Sequence, residues 1–176
     1  MKYLIFSDLH GSAKSAEAII DVYTKENCDQ MICLGDVLYH GPRNELPEFY
    51  APKQVITMLN PFAEHILCIQ GNCDAEVDQM VLNFKLIKKK KMKINGHLCH
   101  LEHGHHLGDT IDAEVVLYGH THIPQLEWIN QKLYLNPGSI TLPKNNTSKS
   151  YIIWDERIIR LYDINGHIIK EVNMEK

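Results

Sequence analysis

Five short apolar runs in this chain each stop at a polar residue close to a glycine, and this repetition limits the possible fold more than any other feature. The runs end at Asp8-Leu9-His10, Gly35-Asp36, Gly71-Asn72, His103-Gly104 and Gly119-His120-Thr121-His122. Short apolar stretches bounded by turn residues read as buried strands. In α/β folds, ligands collect outside the carboxyl ends of the strands, where the connecting loops open a crevice. If the five runs are neighbours in a sheet, their endings converge on one place. The glycines let the backbone turn sharply and approach its neighbours there. Asp8 and His10 lie two residues apart, as do His120 and His122, so an extended backbone points each pair to one side.

The intervening sequence supplies the rest of an α/β pattern. Residues 2–6 and 30–34 read as strands. Between them, 12–27 reads as a helix, with Ala13, Ala16, Ile19, Ile20 and Tyr23 at helical spacing and Ser12 as its N-cap. Pro42, Pro47 and Pro52 mark 37–52 as an irregular loop. A short helix over 53–59 and a third strand over 65–69 follow. Beyond residue 90 the pattern changes. Asn95-Gly96 joins 91–94 to 97–102 as a hairpin, and 114–118 is a further strand. Runs at 125–129, 132–135, 151–154, 157–163 and 167–172 read as antiparallel strands joined by turns such as Asn165-Gly166. The 176 residues contain no repeat, low-complexity tract or linker, so residues 1–176 read as a single domain. A parallel half followed by an antiparallel half implies two packed sheets with helices outside.

Charge and cysteine usage narrow the function. A net charge of -4 gives no overall attraction to nucleic acid or to anionic membranes. A phosphate-bearing substrate must therefore be attracted locally. The basic run Lys88-Lys89-Lys90-Lys91 has no interleaved aromatic residue and reads as a solvated face. No segment reaches the roughly 18 apolar residues of a membrane span, and the apolar N-terminal run stops at Asp8, too short for a signal-peptide core. The five cysteines, an odd number without a CxxC pair, read as thiols in a reducing cytoplasm, most of them small core residues.

Carboxylate oxygen with neutral imidazole is a ligand set for manganese, iron, zinc or nickel. Asp8, His10, Asp36, Asn72, His103, His120 and His122 are too many for one tetrahedral ion. They suit two ions that share a bridging carboxylate and clamp a phosphoryl group. Any one of these residues alone reads more readily as a cap or a turn. Their ordered occurrence at five strand ends is what argues for a site.

In these blocks the chain resembles the calcineurin-like metallophosphoesterases, whose signatures are D-x-H, G-D, G-N-x-D, a His near a second glycine, and G-H-x-H. Here they stand as Asp8-Leu9-His10, Gly35-Asp36, Gly71-Asn72-Cys73-Asp74, Glu102-His103-Gly104-His105 and Gly119-His120-Thr121-His122. Residues 35–44, 71–78 and Asn136-Pro137-Gly138-Ser139 are similar to the YfcE-type phosphodiesterase branch. The resemblance implies a four-layer αββα sandwich of two mixed β-sheets flanked by helices. It implies one metal on Asp8, His10 and His122, a second on Asn72, His103 and His120, and Asp36 between them. Two divalent ions are expected, manganese first, with nickel, zinc, iron or magnesium as alternatives. A hydroxide between the ions would be the nucleophile, and Asn72 with the metals would neutralise charge on the phosphoryl oxygens.

Many members of the wider family carry His where this chain has Cys73, and the following Asp, here Asp74, orients it toward the leaving oxygen. A thiol, with an ordinary pKa of about 8.5, is a poorer proton donor to an alkoxide than an imidazolium. Leaving groups that need acid assistance are therefore expected to react slowly, unless water or His105 donates. In the proline-marked loop, Arg43 is a candidate for contact with substrate phosphate, and His40 for a hydrogen bond to a substrate oxygen. Asn136-Pro137-Gly138-Ser139 reads as a turn supporting the His120–His122 loop.

The expected activity is hydrolysis of small or nucleotide-like phosphodiesters. A phosphomonoesterase with the same metals is the nearest alternative, and a protein-interaction scaffold is the alternative from another class. A scaffold has no need of all seven ligand residues. Nothing in the sequence marks an interface, and a homo-oligomer stays open.

Overall fold

A computed structural model describes residues 1–108 and 111–174. The first three apolar runs become the parallel centre of a seven-stranded sheet. It contains β1 (Lys2–Phe6), β2 (Gln30–Cys33), β3 (Ile66–Ile69) and the short β4 (Leu86–Ile87), paired in that order. Between β1 and β2 runs α1 (Ala13–Lys25), where the Ser12 hydroxyl accepts the Ser15 N–H at 3.4 Å as the N-cap. Helix α2 (Pro52–Leu59) opens on a proline, whose missing N–H leaves no bond unmade in a first turn. It continues into a 3₁₀ turn, Asn60–His65, that feeds β3. Ala16, Ile19, Val55 and Leu59 of the helices pack on Leu4, Phe6, Met31 and Cys68 of the sheet.

The second sheet holds β5 (Lys89–Ile94), β6 (His97–Glu102), β7 (Val115–Leu117), β8 (Pro124–Ile129) and β9 (Lys132–Pro137) in the order β5-β6-β7-β9-β8. At the β5–β6 turn, Asn95 and Gly96 have φ of 47° and 92°, the left-handed pair that a two-residue hairpin requires. Lys88 alone separates β4 from β5, so the chain steps there from one sheet to the other. Tyr3 and Ile5 alternate with Leu4 and Phe6 along β1, and with Ile32 and Leu34 they face Leu101, Leu117 and Leu135 in an apolar layer between the sheets. On the outer face of the second sheet, Leu107, Ile111 and Ala113 cover Val116, Tyr118 and Tyr134. Two mixed sheets with flanking helices result.

The strand partners differ from the sequence expectation in two respects. β6, β7 and β9 run parallel, although this region reads as antiparallel. The β8–β9 hairpin folds outward, so β9 pairs with β7 and leaves β8 at the edge. β10 (Ser150–Asp155), β11 (Ile158–Asp163) and β12 (Ile168–Asn173) return to the first sheet, with β10 antiparallel to β1. Alternation along a strand states which face is buried and leaves its neighbour undetermined. The basic run falls largely on β5, an edge strand on which Lys89, Lys91 and Lys93 are exposed, a common way of keeping an edge from pairing with another chain. Among the described residues no helix is long and apolar enough to cross a membrane.

Candidate metal centre

Parallel strands from both sheets end at one rim, and the seven candidate ligands lie just beyond those ends. Asp8 and His10 follow β1, Asp36 follows β2 and Asn72 follows β3; His103 follows β6, and His120 with His122 follows β7. Five of them adopt left-handed backbone, with φ of 56° at Asp8, 48° at His10, 56° at Asp36, 65° at His120 and 60° at His122. Such conformations are uncommon outside glycine and concentrate at functional sites, where surrounding bonds must hold them. Those bonds are present. The N–H of Asp8 donates to Gly35 O at 3.0 Å, that of His10 to Asp36 O at 2.8 Å, and that of Gly119 to His103 O at 2.8 Å. Ser139 Oγ donates to Asp8 O at 2.8 Å, and Asn136 Nδ2 to Gly119 O at 2.9 Å, so the 136–139 turn braces the loops after β1 and β7. At Gly71 a Cβ would lie 2.1 Å from Asp36 Oδ1. A glycine there is the condition for the approach of the two loops.

Three imidazoles are locked in one tautomer. Nδ1 of His10 donates to Tyr39 O at 2.8 Å, Nδ1 of His103 to Leu34 O at 2.6 Å, and Nδ1 of His122 to Leu142 O at 2.6 Å. A carbonyl can only accept, so in each neutral ring Nε2 carries the lone pair. These lone pairs face other acceptors. Nε2 of His10 and Nε2 of His122 lie 3.2 Å apart, and 3.7 and 3.3 Å from Asp8 Oδ1. Nε2 of His103 lies 3.1 Å from Asn72 Oδ1 and 3.4 Å from Asp36 Oδ2, and that same Asp36 oxygen is 3.7 Å from His10 Nε2. Among the described residues Asp8 Oδ1 is buried without a hydrogen-bond partner, while Oδ2 accepts the His120 N–H at 3.0 Å. The His120 ring lies 5.1 Å from that of His103, centroid to centroid.

Buried acceptors facing one another are satisfied by cations. The donor set fits divalent cations, and Asp36 Oδ2 lies between Nε2 of His10 and Nε2 of His103. Asp8, His10 and His122 offer atoms within 4.8 Å of one another, as do Asp8, Asp36 and His103. Electrostatics agree. Burial opposes charge on Asp8, but His10 and His122 beside it hold its carboxyl well below the usual range. Burial likewise opposes charge on Asp36, and His103 lowers it. Against its own burial, His103 is pushed up to about 9 by Asp36 and Asp8, and His10 is raised by Asp8. Burial and neighbouring His103 lower His120. The field that draws protons to His10 and His103 draws a divalent cation in their place.

The remaining candidates sort by geometry. Among the described residues the Asp74 side chain makes no hydrogen bond to Cys73. Its carboxylate accepts the N–H groups of Asp36 at 2.9 Å, Gly71 at 2.7 Å and Val37 at 2.7 Å, so it clamps the β2 and β3 loops together from beneath. Burial still raises it, to about 6. Cys73 is half-buried. Its N–H donates to Asp36 Oδ1 at 2.8 Å, and its sulfur accepts from Asn72 Nδ2 at 3.4 Å. Burial and the Asp36 carboxylate push the thiol up to about 12, and its sulfur lies within 4.8 Å of donor atoms on His10 and Asp36.

A cleft of about 430 Å³ opens above these groups, walled by Asn72, Cys73 and His122, with Arg43 and Lys144 in its lining. His40 is not part of that wall. Its ring packs edge-on between Tyr39 and Tyr50, at 4.8 and 5.3 Å. Sequence reasoning misses Lys144, because nothing near it in the chain marks it. It reaches the site through the loop after β9, where its N–H donates to His122 O at 3.2 Å. Beyond Asn72 and His103 lies a second cleft of about 520 Å³, lined also by Lys88, Lys89, His105 and His106.

Comparison with known proteins agrees with this geometry. The family model described as the calcineurin-like phosphoesterase superfamily domain matches residues 1–157. The chain is 37% identical over 175 residues to a protein of Escherichia coli named phosphodiesterase YfcE, covering 96% of this chain and 95% of that one. A solved structure of the Escherichia coli phosphoesterase Yfce superimposes with a TM-score of 0.95 at 35% identity, over 99% of this chain and 100% of that one. Vps29 of Entamoeba histolytica, solved in complex with zinc, shares the fold with a TM-score of 0.70 at 21% identity, over 99% and 100% of the two chains.

Proposed function

The chain belongs to the calcineurin-like phosphoesterase superfamily, and we propose that it is a phosphodiesterase that hydrolyses small or nucleotide-like diesters with two divalent metal ions. The observation that carries this reading is the set of buried acceptors turned toward one another: Nε2 of His10, His103 and His122, Oδ1 of Asp8 and Oδ2 of Asp36. The name of the relative at 37% identity supplies the reaction class. Asp8, His10 and His122 would hold one ion, Asn72, His103 and His120 the other, and Asp36 both. When bound, such ions supply a water of lowered pKa and offset charge gathering on the phosphoryl oxygens.

The chain's own residues do the rest. The three Nδ1–carbonyl bonds keep the imidazoles aimed. Arg43 and Lys144 hold the anionic phosphate in the cleft. The Cys73 thiol keeps its proton beside the reaction centre, which suits leaving groups that depart without strong acid help. We assign the ions as manganese, the whole chain as one domain and the compartment as a reducing cytoplasm, in line with five free cysteines.

The test is hydrolysis by metal-stripped protein reloaded separately with manganese, nickel, zinc or magnesium. Bis(p-nitrophenyl) phosphate and p-nitrophenyl phosphate serve as the diester and the monoester. Metal-dependent cleavage of the diester with two ions per chain is expected. Cleavage of the monoester alone would transfer the site to the phosphomonoesterases, and no cleavage with any metal would remove the hydrolase reading and favour a scaffold.

A further inference from the structure

Asn72 lines both clefts, so the metal centre stands between two chambers. A phosphodiester has two arms, and the geometry provides a place for each. The second chamber, about 520 Å³, carries positive charge with no part in the mechanism above. Lys88 is the single residue between β4 of the first sheet and β5 of the second, and Lys89 begins β5, paired in register with Glu102. Glu102 immediately precedes His103, so strand pairing holds the Lys89 backbone beside a metal ligand rather than leaving it on a loose loop. Both lysines are exposed, and among the described residues neither has an ion-pair partner. His105 and His106 stand in the same wall with ring centroids 4.4 Å apart, and His105 lies 5.5 Å from His103.

Two acids also line this chamber, and among the described residues neither pairs with Lys88 or Lys89. One Glu102 oxygen pairs with His100 Nε2 at 2.8 Å, and the other is buried without a hydrogen-bond partner among the described residues. Asp74 spends its oxygens on three backbone N–H groups. Two unpaired ammonium groups beside a phosphoryl-transfer centre match a dianion carried on the substrate.

We propose that the Lys88–Lys89 chamber is a subsite for a phosphate monoester on one arm of the diester, so that the preferred substrates are diesters bearing a second, terminal phosphate. This rests on the phosphodiesterase reading and specifies the substrate class for it. The manganese-loaded full chain is assayed on two substrates, the p-nitrophenyl ester of thymidine 5′-phosphate with a free 3′-hydroxyl and the same ester with a 3′-phosphate. The 3′-phosphate is expected to raise kcat/KM about tenfold, through KM, the scale of two ion pairs at an accessible site. That ratio should shrink as salt rises.

In the double variant Lys88→Gln, Lys89→Gln the ratio should fall to about one, and Lys88→Arg, Lys89→Arg should restore it, which separates charge from any effect on folding. A ratio near one in the wild type, or an undiminished ratio in the glutamine variant, overturns the subsite while leaving the phosphodiesterase standing. Failure of the wild type to cleave either ester, with manganese bound, overturns both.

Discussion

Replacing Gly71 with alanine should perturb the candidate metal centre without removing a single candidate ligand. The new Cβ would lie 2.1 Å from Asp36 Oδ1 and 2.4 Å from the Asp36 backbone nitrogen, where ordinary contact begins at 3.4 Å. The carboxylate would have to retreat by about 1.3 Å. It has little room to do so, since Oδ1 accepts from Cys73 N–H and the Asp36 N–H is held by Asp74. Because Asp36 faces both His10 and His103, its displacement disturbs both halves of the site at once. A misplacement on the order of 1 Å costs about 100-fold in rate, equivalent to about 2.7 kcal/mol of barrier. Overpacking should remove a further ~1–3 kcal/mol of stability.

The assay is kcat/KM on bis(p-nitrophenyl) phosphate with metal counted per chain, beside thermal melting. Gly166→Ala is the control. Its φ is 87° but its Cβ meets nothing within 4 Å, so it should lose about 1 kcal/mol of stability to left-handed strain and no activity. An alanine at position 71 that keeps wild-type kcat/KM and two metals would refute the reasoning.

Four further outcomes are expected. Asp8→Asn removes the unpartnered buried Oδ1 as an anionic donor, and should lower metal affinity by more than the roughly 100-fold typical of an outer-shell loss; unchanged stoichiometry on titration would count against Asp8 as a ligand. Cys73→His should raise turnover on alkyl diesters by on the order of 100-fold while barely altering p-nitrophenyl esters, and equal effects on both would take residue 73 out of proton transfer. Arg43→Ala should raise KM about fivefold with the metal content intact, so unchanged steady-state kinetics would place Arg43 outside the substrate contacts. Stripping the metals should lower Tm, because ions at about 100 times their Kd stabilise the fold by about 2.7 kcal/mol; identical melting before and after reloading would show that no such linkage exists.

The candidate site was largely legible in the sequence because each candidate ligand is tied to a local event, an apolar run that ends. Asp8, His10, Asp36, Asn72, His103, His120 and His122 could be named from those endings, and the structure brings them to one rim. The hairpin at Asn95-Gly96 and the cap at Ser12 were legible for the same reason, since a turn or a cap depends on its immediate neighbours.

Other features depend on which strand lies beside which. No local pattern in 150–155 says that β10 must pair with β1, or that β7 and β9 must run parallel across the outward β8 hairpin. The loop from β9 back to β10 brings Lys144 to the first cleft, and the step from β4 into the β5–β6 pair sets Lys88 and Lys89 beside the second. The approach of the loops after β2 and β3 gives Asp74 three backbone amides, and His40 packs between Tyr39 and Tyr50. Side-chain period and turn chemistry are written residue by residue, so the sequence alone determined the elements and the chemical character of their ends. Neighbourhood arises when whole faces are buried together, and only the assembled sheets decided which charges and rings surround the candidate ligands.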